Sequence, residues 1–312
     1  MDEIDLELFD LIAENPRCSY RDMADKLDIS TPAVHRRIQA AREQNILIGP
    51  IAMLNNDFAR AVGIMIWGHT WAKNHAEVME ALKEDDCSQI ITMMSGKNLL
   101  IRSYLKDLKD LDKYVNLIRE KAMMPNPVIG LSPTCLCEVP DYSDVKLTKV
   151  DLKIMSALHK DGRMSVSDIS EMIKVSPKTV RNHLGKILEQ KVIGLMTIIN
   201  QAHSGQFVPF IVINLEKGVD KRKIMVELKN DFSPPLMETF SFSNQLDMLV
   251  TFAWLDNMAR LKDLQNRLEE IDGIDSLESN IFIQSCGNNT WMENIIADPE
   301  EAMIFLKKRK II

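Results

Sequence analysis

Two short stretches of the chain concentrate side chains that can donate hydrogen bonds to nucleic acid. Residues 30 to 40 read STPAVHRRIQA, and residues 176 to 186 read SPKTVRNHLGK. Arginine pairs with guanine and asparagine with adenine in the major groove, whereas lysine and threonine more often contact phosphates. Both stretches therefore have the chemistry of DNA recognition, although charge clusters on helices are also typical of a plain solvated face.

Each stretch has the pattern of an amphipathic helix, which begins at Thr31-Pro32 or at Ser176-Pro177, since proline has no N–H group and none is needed at the first helical position. The predicted inner stripes are Val34, Ile38 and Ala41 in the first stretch and Val180, Leu184 and Ile187 in the second. The predicted DNA contacts on the outer faces are Thr31, His35, Arg36 and Arg37, and Lys178, Thr179, Arg181, Asn182 and Lys186.

The two stretches belong to a tandem repeat with an offset of 146 residues. Ile4-Asp5-Leu6 aligns with Val150-Asp151-Leu152, and the register runs without a gap to Ile46-Leu47 and Val192-Ile193. Helix-start signals repeat in the same register: Asp2 and Asp5 match Thr148 and Asp151, and Ser19 and Asp22 match Ser165 and Asp168. Each copy is predicted to form three short helices and then, at ILIGPIAML or VIGLMTIIN, a small β-hairpin or a strand leading onward. Three helices and a hairpin make a winged helix-turn-helix.

The segments that follow each copy, about 63 to 134 and 205 to 286, share the element order βαββαβ. This order is typical of a ferredoxin-like sheet with two helices on one face. The predicted fold class is α+β, with two winged helix-turn-helix domains and two ferredoxin-like domains in tandem duplication. The predicted domains are 1–54, 55–140, 141–200 and 201–288, followed by a helical tail at 289–312.

Composition excludes several classes of protein. With 46% hydrophobic and 27% charged residues, the chain is ordinary globular material, and no apolar run approaches the ~20 residues that cross a bilayer. The acidic start MDEIDLELFD is unlike a signal peptide, so we expect a cytoplasmic protein without membrane partners. The five cysteines include no CxxC pair, so the sequence indicates neither a disulfide framework nor a zinc ribbon. Cys135 and Cys137 are the cysteines most like a metal or redox pair. We expect neither a metal nor a cofactor.

The copies differ in charge although the whole chain carries −7. Residues 147 to 195 hold nine Lys or Arg against five Asp or Glu, giving +4, whereas residues 1 to 50 hold six against ten, giving −4. Phosphate contacts supply much of the affinity for DNA. The second copy is therefore predicted to bind DNA more strongly than the first.

On these stretches the chain resembles the Lrp/AsnC family of prokaryotic transcription regulators, in which a winged helix-turn-helix is joined to a βαββαβ ligand-sensing and oligomerisation domain. The best-matched stretches are IDLELFDLIAENPRCSYRDMADKLDISTPAVHRRI and VDLKIMSALHKDGRMSVSDISEMIKVSPKTVRNHL. The resemblance implies double-stranded DNA as the partner, regulation rather than enzymatic catalysis, and assembly through the sheets. Because one chain carries both units, the simplest reading is an internal pseudo-dimer, which we expect to associate further into homo-oligomers.

The resemblance also implies a small-molecule effector at the turn into the third sheet strand. Members that bind amino acids commonly carry a glycine and an aspartate at that turn. Here Gly96 remains without the acid in SGKNLL, and Asp247 remains without the glycine in SNQLDML. The candidate ligand residues are Gly96, Asn98, Gln245 and Asp247.

A second group with the same plan, the sirohaem decarboxylases, gives an enzymatic alternative in which a tetrapyrrole binds between the sheet domains. Such a site needs His and Arg residues around an acidic macrocycle. The candidates here are His69, His75, Lys97 and Arg102 in one half, against His203 and few basic groups in the other. Function has to be argued from the site, and the regulator is the better-supported reading of the sequence.

Overall fold

A computed structural model shows how the helices and strands are arranged. It describes residues 3–44, 46–136, 140–199, 207–233 and 235–311. Asp2, Cys137 and His203, which entered the sequence arguments, lie outside these residues. Within the described ranges, every helix is too short or too polar to cross a bilayer.

The elements repeat in the same order in the two halves of the chain. The first half contains α1 (Glu3–Glu14), α2 (Tyr20–Leu27), α3 (Thr31–Glu43), β1 (Leu47–Leu54), α4 (Asn56–Ala59), β2 (Val62–His69), α5 (His75–Lys83), β3 (Ser88–Met94), β4 (Asn98–Leu105), α6 (Leu111–Lys121) and β5 (Val128–Leu131). The second half contains α7 (Lys149–Lys160), α8 (Val166–Ile173), α9 (Pro177–Glu189), β6 (Ile193–Ile199), β7 (Pro209–Leu215), α10 (Lys221–Asp231), β8 (Leu236–Ser241), β9 (Met248–Ala253), α11 (Met258–Glu269) and β10 (Ile274–Gly287). The tail contains α12 (Trp291–Ala297) and α13 (Pro299–Lys308).

The chain folds into two compact units, and each unit takes segments from both halves. The helix-turn-helix unit comprises Met1–Arg60, Val139–His203 and Trp291–Ile312, and the sheet unit comprises Ala61–Glu138 and Ser204–Thr290. Like segments of the two repeats therefore pack together, which is the arrangement expected of an internal pseudo-dimer. The domain boundaries drawn from the sequence remain predictions.

Side-chain caps start the helices where the sequence predicted. The Ser19 side chain accepts from the Asp22 N–H at the start of α2, and Ser165 accepts from the Asp168 N–H at the start of α8. Thr148 and Asp151 cap each other reciprocally at the start of α7. Because a cap satisfies amide groups that the first helical turn leaves without partners, it fixes the residue at which each helix begins.

The strands that follow the third helices decide between the two predicted alternatives, a β-hairpin and a strand leading onward, in favour of the single strand. Within the described residues β1 and β6 do not fold back into separate hairpins but pair with each other, antiparallel, from Leu47 opposite Ile199 to Leu54 opposite Ile193. Both strands are rich in β-branched and apolar residues, and the antiparallel partner of each comes from the other copy. A pattern of strand residues shows that a strand exists, but it does not show which segment supplies the hydrogen bonds.

The sheet unit confirms the βαββαβ order in both halves and joins the two sheets into one. Its eight strands lie in the order β5-β2-β4-β3-β10-β7-β9-β8, so each half keeps the ferredoxin-like arrangement. The join is the antiparallel pairing of β3 with β10, which runs from Met94 opposite Phe282 to Ile90 opposite Gly287. An isolated bridge between Thr134 and Ser241 connects the two outer ends of the same sheet.

The two faces of the sheet bury different sets of apolar side chains. On the helix-covered face each half has its own core, centred on Ile64, Ile91 and Ile101 in the first half and on Ile211, Leu249 and Leu264 in the second. A separate buried cluster draws on both halves, with Met65, Trp67, Met94, Leu100, Phe210, Val212, Phe240, Phe242 and Val250. Alternation along the strands creates both sets, because successive side chains point to opposite faces.

The tail forms two helices, of which the sequence predicted the second. Asp298 caps α13, and the Ser156 hydroxyl on α7 donates to the Ala297 carbonyl at 2.7 Å. Arg309 donates to the carbonyls of Ala59 and Arg60, and its guanidinium lies over the Phe305 ring at 5.3 Å. The tail thus packs within the helix-turn-helix unit, and the basic end is held by packing as well as by the helix dipole.

Candidate nucleic-acid interface

The third helix of the first copy, α3, has a buried stripe and an exposed stripe. Val34, Ile38 and Ala41 are at most 6% exposed and pack in a core with α1 and α2 residues such as Leu8 and Met23. The exposed stripe consists of Thr31, Pro32, His35, Arg36, Gln39 and Ala40. This alternation confirms the predicted inner stripe and leaves the first turns of α3 presented to solvent.

The third helix of the second copy, α9, repeats the arrangement at an offset of 146. Val180, Leu184 and Ile187 are buried. The exposed stripe consists of Pro177, Lys178, Arg181, Asn182, Gly185 and Lys186. Equivalent positions carry different chemistry: His35 corresponds to Arg181, and Arg36 corresponds to Asn182. The two faces are therefore similar in shape and different in hydrogen-bonding pattern.

At the edge of these faces, side chains at two equivalent positions contact an aspartate on the first helix of their own copy. Arg37 donates to the Asp5 carboxylate at 2.6 Å, and His183 Nδ1 lies 2.7 Å from the Asp151 carboxylate. Asp151 is fully buried, and Arg37 is half-buried. Arg37 therefore anchors α3 to α1, and its predicted DNA contact remains a prediction that has to compete with this pair.

Three other predicted contacts have partners within the protein. The Thr179 hydroxyl lies 2.8 Å from the hydroxyl of Ser176, the residue that caps α9. Lys186 donates to the Lys146 carbonyl at 2.9 Å. His35 packs edge-to-face on Tyr20, with ring centroids 5.7 Å apart. These contacts restrict the side chains before any ligand binds, which lowers the conformational entropy lost on binding.

Sequence reasoning missed Gln39, which lies on the exposed stripe one turn after His35. Its amide nitrogen donates to the Glu43 carboxylate at 3.1 Å. A glutamine amide can pair bidentately with adenine. The signal was present in the sequence, since Gln39 stands eight residues after Thr31 on the same helical face.

Electrostatics distinguish the copies further. On α1 of the first copy, Asp10 lies one turn from Glu7 and Glu14, and burial together with these two charges raises the pKa of Asp10. The equivalent position on α7 is Ser156, whose hydroxyl binds the tail. At this position the first copy thus carries one of three neighbouring carboxylates, whereas the second carries a buried neutral hydroxyl.

The predicted effector residues lie at the two turns of the sheet unit, which contact the opposite half. Asn98 donates to the side chain of Asn280 at 2.8 Å and to the Ser95 carbonyl at 3.0 Å. Gln245 donates to the Ile129 carbonyl at 3.0 Å. Gly96 has φ of 67°, the left-handed region that favours glycine, and Asp247 accepts the Leu215 N–H through its backbone carbonyl. The turns therefore bind one half to the other.

A cavity of about 470 Å³ lies beside the first turn. Its lining includes Trp67, Met94, Asn98, Glu278 and Asn280. A second cavity of about 390 Å³ is lined by residues of both halves, which include Cys135, Lys221 and Leu246. Both volumes suit a small ligand such as an amino acid.

A group of potential metal ligands, Asp85, Asp86 and Cys87, lies in the sheet unit with ligand atoms within 4.8 Å of one another. Burial, followed by the charges of Asp85 and Asp86, raises the pKa of the Cys87 thiol to about 12. Lys106 donates to Asp86 at 2.8 Å. A thiol that stays protonated and a carboxylate already paired with lysine make a poor metal site.

Comparisons with known proteins agree with the duplicated helix-turn-helix. A family model described as winged helix-turn-helix DNA-binding matches residues 1–48 and 147–193. An uncharacterized HTH-type transcriptional regulator of Pyrococcus horikoshii is 30% identical over 146 residues, covering 46% of this chain and 90% of that protein. Another, of Pyrococcus abyssi, is 31% identical over 140 residues, covering 44% and 87%. Each relative therefore corresponds to about one half of this chain.

Among solved structures, the siroheme decarboxylase NirDL in complex with an iron-uroporphyrin III analogue matches along the whole chain. The TM-score is 0.61, with 10% sequence identity, and the match covers 99% of this chain and 100% of the other. At that identity the likeness concerns the fold, and function has to be argued from the residues themselves.

Proposed function

The chain belongs to the Lrp/AsnC family of winged helix-turn-helix transcription regulators, and from this premise we propose that it is a cytoplasmic regulator that binds duplex DNA through α3 and α9. The observation that carries the proposal is the pair of matched exposed stripes, each of which is free of acidic side chains through the first three turns of its helix. A helix of this kind enters the major groove with its N-terminal residues at the base edges.

The proposed roles follow from side-chain chemistry and exposure. Arg181 and Asn182 are exposed and suited to guanine and adenine, and Lys178 one turn earlier is suited to a phosphate. On α3, Arg36, which is equivalent to Asn182, and Gln39 are the proposed base readers, with His35 held beside Tyr20. The exposed groups of α9 include three cations, so the second copy supplies most of the phosphate affinity.

The two copies would read different half-sites. A symmetric homodimer presents identical surfaces to a palindrome, whereas this chain presents two related but unequal helices. We expect an operator with two dissimilar half-sites, in which the half-site under α9 contributes more to affinity and the half-site under α3 more to discrimination. Association of several chains through their sheet units is the proposed route to higher assembly.

A small-molecule effector is the second part of the proposal. The cavity beside Asn98 is the better candidate, because the turn that lines it also hydrogen-bonds to Asn280 of the opposite half. A ligand there would alter contacts between the halves of the sheet unit. Its lining side chain Glu278 favours a ligand with a positively charged group, such as an amine.

Binding is tested by titrating the labelled duplex upstream of the protein's own reading frame with purified protein, by fluorescence anisotropy at fixed salt. A scrambled duplex of the same length and composition is the control. Tighter binding of the upstream duplex by at least about tenfold supports sequence preference. Equal and weak affinity for both duplexes would remove the regulator proposal.

The alternative is a tetrapyrrole enzyme, favoured by the whole-chain likeness of fold to siroheme decarboxylase. Against it, the cavity beside Asn98 has Glu278 in its lining, which would repel an acidic macrocycle. Of the basic candidates, His69 lies beside the Gly96 carbonyl and Arg102 lies 6.0 Å from the Phe240 ring. Titration with iron uroporphyrin distinguishes the two: a saturable Soret shift at one equivalent per chain would favour the enzyme.

A further inference from the structure

One arginine of each helix-turn-helix copy donates hydrogen bonds to backbone carbonyls of the other copy, and we call this arrangement the arginine exchange. Arg17 of the first copy donates to the carbonyls of Gly162 and Met164 in the second. Arg163 of the second copy donates to the carbonyls of Pro16 and Cys18 in the first. The four hydrogen bonds measure between 2.5 and 3.0 Å. The donors and all four acceptors correspond at an offset of 146, so the exchange has the two-fold pseudo-symmetry of the unit.

The exchange requires the shape of a guanidinium. Each side chain reaches two carbonyls that stand two residues apart, one from each terminal nitrogen of its planar fork, whereas lysine would have to reach both from one nitrogen. Burial and the neighbouring charge of Arg163 lower the pKa of Arg17, and Asp161 acts in the opposite direction. Two like charges are thus held close together because four backbone carbonyls accept their hydrogen bonds.

Each arginine holds the loop that leads into the second helix of the other copy. The Cys18 carbonyl precedes Ser19, which caps α2, and the Met164 carbonyl precedes Ser165, which caps α8. The second helix packs against the third helix in both copies. A loop held in place therefore also holds the third helix, α3 or α9, which is the recognition helix of its copy. The exchange therefore restrains each recognition helix relative to the opposite copy.

Arg163 is connected to a predicted DNA contact through one intervening aromatic ring. The Arg163 guanidinium lies over the Tyr20 ring at 4.8 Å, and that ring packs edge-to-face on His35 at 5.7 Å. The position equivalent to Tyr20 is Val166, which has no aromatic ring. The second copy thus lacks this connection. The orientation of α3 therefore depends on the second copy more than the orientation of α9 depends on the first.

A close approach between the copies supports the same arrangement. The Gly162 N–H donates to the Pro50 carbonyl at 2.7 Å, and a Cβ atom at Gly162 would lie 2.7 Å from that oxygen. His159 Nδ1 lies 2.8 Å from the Ala52 carbonyl. The loop between α7 and α8 is therefore seated on β1, directly beside the exchange.

We propose that Arg17 and Arg163 are positioning residues that set the spacing between the two half-sites the chain accepts, and that Arg163 also orients His35 through Tyr20. The inference rests on the proposed function, since it concerns how two DNA-reading helices are held. Phasing of paired helix-turn-helix units determines which spacing of half-sites can be bound at once.

The test is selection of bound sequences from a randomised duplex library by the full-length protein, its Arg17→Lys/Arg163→Lys variant and each single variant. These substitutions keep the charge and replace the two donor nitrogens of the guanidinium by one. The wild type should enrich two motifs at one spacing. The double variant should enrich the same motifs with the spacing spread over roughly three or more base pairs. An unchanged single spacing overturns the proposal.

The two single variants should differ in their effect on base preference. Arg163→Lys should also relax base preference in the motif read by α3, whereas Arg17→Lys should leave the motif read by α9 unchanged, because Val166 stands in place of Tyr20. Equal effects of the two single variants would refute the role of Tyr20. Thermal melting of each variant shows whether the unit still folds.

A DNA-free measurement separates this proposal from the proposed function. Spin labels carried by encoded amino acids at the equivalent exposed positions Gln39 and Gly185 report the distance between α3 and α9. A Cβ at Gly185 meets nothing within 4 Å, so the label has room. The double variant should roughly double the width of the distance distribution. A distribution as narrow as that of the wild type contradicts the positioning role, even if no duplex is bound. If instead the wild type enriches no motif while this distribution broadens, the DNA-binding function fails, and the two arginines still hold the helices together.

Discussion

Replacing Lys178 and Arg181 by alanine should weaken DNA binding more than replacing His35 and Arg36. Both pairs lie on exposed faces of the third helices, and His35 and Arg181 are equivalent positions. The comparison uses His35 rather than Arg37, because Arg37 is paired with Asp5 and its loss would also disturb the fold.

The magnitude follows from the contacts that each side chain can make. An arginine paired with a base contributes about 1 to 3 kcal/mol, and a lysine on a phosphate contributes about one to the slope of log affinity against log salt. The second-copy variant should therefore lose roughly 10- to 100-fold in affinity, and its salt slope should flatten by about one. The first-copy variant keeps every cation of the more basic copy, so we expect a loss of about tenfold or less.

Fluorescence anisotropy over a range of KCl concentrations measures both quantities on the preferred duplex. The matched control is Lys149→Ala with Lys160→Ala, which removes two positive charges from the second copy at exposed positions of α7. This control should change affinity by less than about threefold. If it weakens binding as much as the α9 variant, bulk charge rather than the α9 face explains the affinity. A greater loss in the first-copy variant would identify α3 as the main reader.

Three further predictions concern stability. Asp151→Asn should lower the free energy of unfolding in urea melts by about 2 kcal/mol. The buried carboxylate accepts hydrogen bonds in the capping box and contacts His183 of the recognition helix. An unchanged urea midpoint of unfolding contradicts this. Asp10→Asn should raise the free energy of unfolding by about 0.5 kcal/mol at neutral pH, because it removes a partly buried charge and its repulsion with Glu14 and Glu7. Since its pKa is raised in the fold, the ionised carboxylate destabilises the native state, and the gain should disappear as the pH falls below the carboxyl range; a gain that persists in acid refutes the cause. Gly162→Ala should lower the free energy of unfolding by more than about 1 kcal/mol, because the added Cβ meets the Pro50 carbonyl. The control Gly185→Ala should stabilise α9 by up to about 1 kcal/mol. Equal effects of the two variants would refute the close packing at Gly162.

The amino-acid sequence alone determined the local structure of this protein. Caps such as Ser19 and Ser165 and the apolar stripe of Val34 and Ile38 depend on residues within a few positions of each other, so their signals can be read directly. The 146-residue repeat was likewise visible in the sequence, and with it the position of both recognition helices. The exposed face of α9 followed from the same periodicity.

Only the tertiary structure decided how the two copies meet. The pairing of β1 with β6 and the arginine exchange between Arg17 and Arg163 join residues about 145 positions apart, and backbone carbonyls, which every residue type carries, accept the hydrogen bonds. A pattern of side chains cannot identify such partners. The same holds for Arg37: its charge suggested DNA, and its ion pair with Asp5 emerged only when α1 and α3 were packed together, because an ion pair depends on distance in space rather than on position in the chain.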